Sequence, residues 1–172
     1  MHGALAEWQG QGVLLVAPGS TGKTTASRRL PAPWHSVCDD TTFLLPDAGG
    51  QWQAHPWPTW SRFPEDSPGE SWNVQAALPL GAIFYLKQAQ HDRAAPFGAA
   101  QAVGRLAQSN EEVSRLMAHD LTPEQARALR LQRFEGLCAL AQAVPMFTLE
   151  LSITGAFWEV IEQTLGWKSS AG

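Results

Sequence analysis

A chain of 172 residues fits a single domain spanning residues 1–172, because domains most often run to roughly 100–150 residues and one of this size closes a substantial core. Its net charge of −4, with basic residues scattered and mildly clustered only at Arg127, Arg130 and Arg133, argues against non-specific nucleic-acid binding. The longest unbroken apolar run falls far short of the roughly 20 residues of a membrane span, and no basic segment leading into an apolar stretch follows Met1-His2-Gly3, so neither membrane association nor a secretory signal is expected and the cytoplasm is the expected compartment.

In chain order, Gly12-Val13-Leu14-Leu15-Val16-Ala17 is a short apolar run without alternation, the pattern of a central strand covered on both faces. Pro18-Gly19-Ser20-Thr21 supplies a loop, residues 22–30 read as a helix, and Pro31 and Pro33 forbid its continuation. Ser36-Val37-Cys38 is a second short strand that delivers Asp39 and Asp40 at its carboxyl end. Residues 41–45 and 51–55 flank the turn chemistry of Pro46-Asp47-Ala48-Gly49-Gly50 and read as a hairpin. Residues 56–79, rich in Pro, Trp and Ser without a period, read as a long irregular loop, a feature that often serves function in compact domains.

Gly81-Ala82-Ile83-Phe84-Tyr85-Leu86 is the next buried strand, and the chain then turns helical. Two helix starts carry capping boxes, Ser109 with Glu112 and Thr122 with Gln125. Residues 146–151 read as a last strand and residues 156–165 as a last helix, with Trp158, Ile161 and Leu165 as its buried stripe. Cys38 and Cys138 lie far apart in apolar surroundings and read as buried thiols, and no CxxC or His/Cys cluster suggests zinc. Strands interleaved with helices imply an α/β fold.

Ala17-Pro18-Gly19-Ser20-Thr21-Gly22-Lys23-Thr24 fits the phosphate-binding pattern GxxxxGK[ST] if Ala stands at the first small position. Small residues let successive backbone N–H groups curl around a β-phosphate. Lys23 reaches the β- and γ-oxygens as a point charge, and the Thr24 hydroxyl is placed to ligate Mg2+, with Thr25 behind it. ATP and Mg2+ are therefore the expected ligands.

Asp39 and Asp40 follow a strand, and in open α/β sheets ligands bind beyond the carboxyl ends of strands. Adjacent residues pointing opposite ways let one carboxylate, Asp39, serve the metal while the other, Asp40, faces an incoming hydroxyl. The alternative is a turn cap. Arg62, after Pro58-Thr59-Trp60-Ser61, is either a clamp on a transferring phosphoryl group or a surface arginine. His55 has a similar placement, Trp52, Trp57 and Trp60 divide between core and a peptide-binding surface, and Arg127, Arg130 and Arg133 read as a solvated helix face.

His2-Gly3-Ala4, Gly12-Val13-Leu14-Leu15, Gly22-Lys23-Thr24 and Cys38-Asp39-Asp40, in that order and spacing, resemble the catalytic domain of bacterial HPr kinase/phosphorylase. The resemblance is closer to the short HPr-kinase-like proteins encoded beside radical SAM enzymes, the SynChlorMet cassette protein ScmC family. It is carried by Arg28-Arg29-Leu30-Pro31-Ala32-Pro33-Trp34, His55-Pro56-Trp57-Pro58-Thr59-Trp60-Ser61, Leu80-Gly81-Ala82-Ile83-Phe84-Tyr85-Leu86 and Thr154-Gly155-Ala156-Phe157-Trp158-Glu159. The resemblance implies a P-loop HPr kinase/phosphoenolpyruvate carboxykinase-like core with a central mixed sheet and flanking helices. It also implies a place for His2 beside the triphosphate, a precursor-peptide Ser or Thr as acceptor, and a radical SAM enzyme as a cassette partner. No Glu-x-Arg-Gly segment follows the aspartates, so the resemblance extends neither to HPr as substrate nor to phosphorylase activity nor to a hexamer.

These readings leave three functions open. The first is an ATP-dependent kinase acting on a peptide hydroxyl, the second a kinase of a small-molecule alcohol, and the third an ATP-binding partner of a peptide-modifying enzyme without catalysis of its own. A regulatory GTPase is disfavoured because the chain has no Asn-Lys-x-Asp segment.

Overall fold

The computed structural model describes residues 1–19, 21–57, 75–117 and 121–167, leaving aside the side chains of 99 and 112–117. Gln9 and Gly10 both take positive φ, 49° and 81°, as a two-residue type I′ turn requires. They close β1 (Gly3–Trp8) onto β2 (Gln11–Val16) as an antiparallel hairpin, with Gly3 opposite Val16 and Trp8 opposite Gln11. The free edge of β1 pairs antiparallel with β3 (His35–Cys38). The free edge of β2 pairs parallel with β6 (Leu78–Gln88), and β6 with β8 (Met146–Leu151).

A short antiparallel strand, β7 (Arg93–Pro96), completes that side. The hairpin of β4 (Thr42–Pro46) and β5 (Trp52–Pro56) joins the start of β6, where Gln53 and Ala54 face Pro79 and Leu78. Its turn is held by Asp47, whose Oδ1 accepts from the N–H of Gly49 and Gln51 at 2.8 and 2.9 Å, an Asx-type closure. Hydrogen bonds from Gln51, Gln53 and Gly49 hold the Asp47 carboxyl below the usual carboxylate range.

Alternation along β2 explains its unbroken apolar run. Val13 and Leu15 enter a core with Ala26 of α1 (Lys23–Arg28) and Phe157 and Ile161 of α4 (Phe157–Leu165). Leu14 and Val16 enter the opposite core with Ala102 and Leu106 of α2 (Ala99–Met117) and Leu137 and Leu140 of α3 (Pro123–Ala143). The architecture is thus an α/β sandwich around a mixed, partly parallel sheet, as expected.

Several expectations are corrected. β7 lies where no strand is expected from the sequence, being four residues long without an apolar alternation. The helix expected over residues 22–30 is shorter, with Gly22 as its left-handed N-cap and Arg29 as its C-cap. Ser109 caps nothing; the helix formers before it carry α2 straight through that position, and its hydroxyl donates to His2 O at 2.9 Å. The Thr122 capping box is present in both directions, Gln125 N to Thr122 Oγ1 at 3.3 Å and Thr122 N to Gln125 Oε1 at 2.9 Å.

Pro56 ends β5 and Leu78 begins β6, so the irregular segment is shorter than 56–79, and its residues 58–74 lie outside the described residues. Cys38 is fully buried, and burial pushes its thiol up, whereas Cys138 is only half-buried on α3; both are free thiols. The fully buried pair of α4 is Phe157 and Ile161, with Trp158 and Leu165 half-buried beside them.

Two segments distant in sequence, 28–34 and 154–159, meet in space. Arg29 Nη1 donates to Ser152 O at 2.8 Å, Nη2 donates to Gly155 O, and the guanidinium lies 5.3 Å from the Phe157 ring centroid. Trp34 Nε1 donates to Glu162 Oε1 at 2.7 Å. Gly155 is pressed against Asp92, whose carboxylate also accepts from Ser152 N, so a methyl group there must displace the Asp92 carboxylate and the Ser152 hydroxyl from their hydrogen bonds. Gly155→Ala is expected to lower unfolding free energy by about 1–3 kcal/mol, read as a shifted urea midpoint at unchanged slope.

Candidate functional site

β2 and β3 both run antiparallel to β1, and β6 and β8 run parallel to β2. The carboxyl ends of these four strands therefore emerge along one edge of the sheet, beside the amino end of β1. This edge gathers the expected site residues: Ala17, Pro18 and Gly19 after β2, Asp39 and Asp40 after β3, and His2 before β1.

The turn after β2 is built from its own backbone. Thr21 donates to Pro18 O through both N–H (3.4 Å) and Oγ1 (2.8 Å). Gly22 sits at φ 101°, a left-handed position that glycine takes without a Cβ penalty, and this turns the chain into α1. Lys23, 6% exposed, folds back so that Nζ donates to Ala17 O at 2.9 Å and Pro18 O at 3.3 Å. An ammonium held at the mouth of the turn can exchange neutral carbonyls for an anion, a stronger charge-assisted partner. Thr24 is half-buried and Thr25 exposed on α1. Gln88, at the end of β6, donates from Nε2 to Thr21 O at 3.2 Å and ties the turn to the neighbouring strand end.

Asp39 and Asp40 lie in the bend beyond β3, not within the strand, so strict strand alternation does not orient them. They differ in burial instead: Asp39 is 5% exposed, while the Asp40 side chain is 25% exposed. Asp40 Oδ1 lies 3.2 Å from His2 Nδ1, Asp40 Oδ2 accepts from Thr41 Oγ1 at 3.2 Å, and Asp40 O accepts from Gly3 N at 2.8 Å. His2 thus stands between the turn after β2 and the aspartate bend, with Ser109 of α2 holding its carbonyl.

Ser20 and Arg62 lie outside the described residues, as does Trp60. Among the others, Trp52 is half-buried, Trp57 meets Phe43 edge-on at 4.6 Å, and His55 sits opposite Phe43 on the β4–β5 hairpin rather than at the edge just described. Arg127 and Arg130 are exposed on α3, and Arg133 is half-buried. Gln88 is a contributor that sequence reasoning did not single out, and Ser109 one that it read only as a helix cap. Each acts on a backbone carbonyl across a long sequence separation, a contact with no local pattern.

No helix among the described residues is long and apolar enough to cross a membrane. The family model of the SynChlorMet cassette protein ScmC matches residues 1–166, which takes in every element from β1 to α4. No curated protein and no solved structure matches the chain.

A Cβ at Gly22 meets no atom within 4 Å, so the constraint there is the backbone alone. Gly22→Ala is expected to cost about 1–2 kcal/mol through the left-handed φ, measured by chemical denaturation; an unchanged midpoint contradicts a turn held in that conformation.

Proposed function

The chain belongs to the SynChlorMet cassette protein ScmC family, and from that membership and the geometry of the sheet edge we propose that it is an ATP-dependent kinase with a P-loop, HPr kinase-like core. Its acceptor is a Ser or Thr hydroxyl of a ribosomal precursor peptide, which suits a family named for a cassette better than a free metabolite does. A radical SAM enzyme of that cassette is the proposed neighbour in the pathway of modification.

One observation carries the reading. Lys23, from a sequence that fits GxxxxGK[ST], is folded over the turn it belongs to, at the same sheet edge as two carboxylates. The donors fit the ligands. The turn offers small residues and backbone amides to a polyphosphate, while the Thr24 hydroxyl and the carboxylates of Asp39 and Asp40 are hard oxygen ligands of the kind Mg2+ takes. The magnesium ion supplies charge neutralisation on the phosphates.

In this reading Lys23 leaves the Ala17 and Pro18 carbonyls for the β- and γ-phosphate oxygens. Asp39, the more buried carboxylate, serves the metal shell. Asp40 accepts the proton of the acceptor hydroxyl as its oxygen attacks the γ-phosphorus; the new O–P bond forms, the bond to the ADP oxygen breaks, and ADP carries away the electron pair. His2 and Thr41, both on the Asp40 carboxylate, orient it. Catalysis then rests on positioning and charge, as phosphoryl transfer requires.

Single-turnover transfer from γ-labelled ATP to the cassette peptide tests this. Lys23→Ala is expected to stay folded and lose about 10²- to 10³-fold in transfer, and full turnover in that variant sinks the kinase reading. Asp40→Asn is expected to lose about 10²- to 10⁴-fold with ATP affinity nearly unchanged, while Asp39→Asn raises the magnesium concentration required. Exchanged phenotypes reverse the two roles, and two silent variants reduce the pair to turn caps.

A further inference from the structure

Beyond the turn after β2, on the side away from Asp39 and Asp40, α2 passes over the carboxyl ends of β6 and β8 and the start of β7. It leaves an open cavity of about 610 Å³, within the roughly 300–1,000 Å³ of small-molecule sites. Gln101, Gly104, Arg105 and Gln108 face it from α2. Their spacing of three, four and seven residues marks one helix face, while Ala102 and Leu106 of the same helix are buried in the core below. Tyr85, Arg105 and Gln108 also line a narrow recess against Ala17 and Pro18, so one wall of the cavity adjoins the turn.

We propose that this cavity receives the base and ribose of the ATP whose phosphates lie on the turn of residues 17–24. The inference deepens the kinase reading and rests on it. In-line transfer puts the attacking and leaving oxygens on opposite sides of the γ-phosphorus. With a carboxylate beyond β3 serving the acceptor, the ADP portion must extend the other way along the edge. The strand order β3-β1-β2-β6, followed by β8 and β7, makes that direction the cavity.

The lining suits a nucleoside. The Arg105 guanidinium lies 4.9 Å from the Tyr85 ring centroid, and Nη1 donates to Tyr85 Oη at 3.4 Å. A guanidinium over one ring still offers its planar surface to a heterocycle, and base stacking of this kind is tolerant of base identity. Phe97 packs edge-on against Tyr85 at 6.0 Å and stiffens that wall. Lys87 and Arg93 share a single carboxylate, Glu150, at 3.2 and 3.1 Å. With Arg105 they give the cavity three cations against one anion. Gly104 leaves room, since a Cβ there meets nothing within 4 Å.

The probes are ATP and inorganic tripolyphosphate, each titrated calorimetrically with magnesium into the full chain. The wild-type protein is expected to bind ATP at least tenfold more tightly than tripolyphosphate. Gly104→Phe replaces a mid-helix glycine with a better helix former and fills the cavity, so the fold persists while the advantage of ATP disappears and tripolyphosphate affinity stays. Arg105→Ala is expected to remove about tenfold of that advantage through lost stacking. Lys23→Ala weakens both ligands.

Equal affinity for the two ligands in the wild type, or an ATP advantage that survives Gly104→Phe, overturns the nucleoside site and leaves the kinase reading standing. So does a raised KM for the acceptor peptide in Gly104→Phe with the ATP advantage intact, which makes the cavity a peptide site. Tripolyphosphate lost along with ATP from both cavity variants also overturns it. Binding of neither ligand to the wild type overturns both.

Discussion

The pairing of β1 with two partners at once is the constraint on which the remainder depends. Because β1 is antiparallel to both β2 and β3, those two strands must deliver their carboxyl ends to the same edge, although 18 residues lie between Val16 and His35 in the chain. Backbone hydrogen bonding, not side-chain chemistry, brings Lys23 and the aspartates to one place. The local bonds then fix the detail: Gly3 N on Asp40 O, Thr42 Oγ1 on Gly3 O, and Ser109 Oγ on His2 O. Net contributions of about 1 kcal/mol each are modest, yet together they hold the amino end of β1 between the turn and the bend.

The opposite end of the hairpin is braced by aromatic mass. Trp8 stacks on Trp167 at 4.8 Å, and Trp34 tilts against both at 6.4 and 6.0 Å. Trp8 Nε1 is buried and, among the described residues, finds no hydrogen-bond partner; a cost of about 1–3 kcal/mol for such a group is offset by the area that three indoles remove from water. Arg29 adds a second brace by binding the Ser152 and Gly155 carbonyls and covering Phe157. The family-bearing segments around Arg29 and Gly155 are thus explained by packing, while those around Lys23 and Asp40 meet at the sheet edge.

Burial of Lys23 links packing to dynamics. A charged group with little exposure forfeits hydration, and the Ala17 and Pro18 carbonyls return part of it. A charge-assisted partner is stronger than a neutral carbonyl, so these two bonds are ones that an anion would compete with. Gln88, bonded to Thr21 O, ties the same turn to the end of β6.

The residues of β2, the turn and the Thr122 cap were legible in sequence because each signal is local: a two-faced apolar run, small residues before a lysine, a reciprocal cap within four positions. The hairpin of β4 and β5 was legible for the same reason, through Asp47 and its glycines. Ser109 shows the limit of local reading. Its Ser-x-x-Glu spacing is a genuine capping signature, but helix propensity upstream and the distant His2 carbonyl claimed the residue for another use.

By itself the sequence determined the α/β class, the strand before the turn and the presence there of a lysine, a threonine and two aspartates. Only the tertiary structure decided that β1 lies between β2 and β3, that His2 meets Asp40, and that α2 roofs a cavity beside the turn. Those facts depend on which edges of which strands pair and in which direction, and backbone hydrogen bonding across long separations leaves no periodic trace in the chain that makes it.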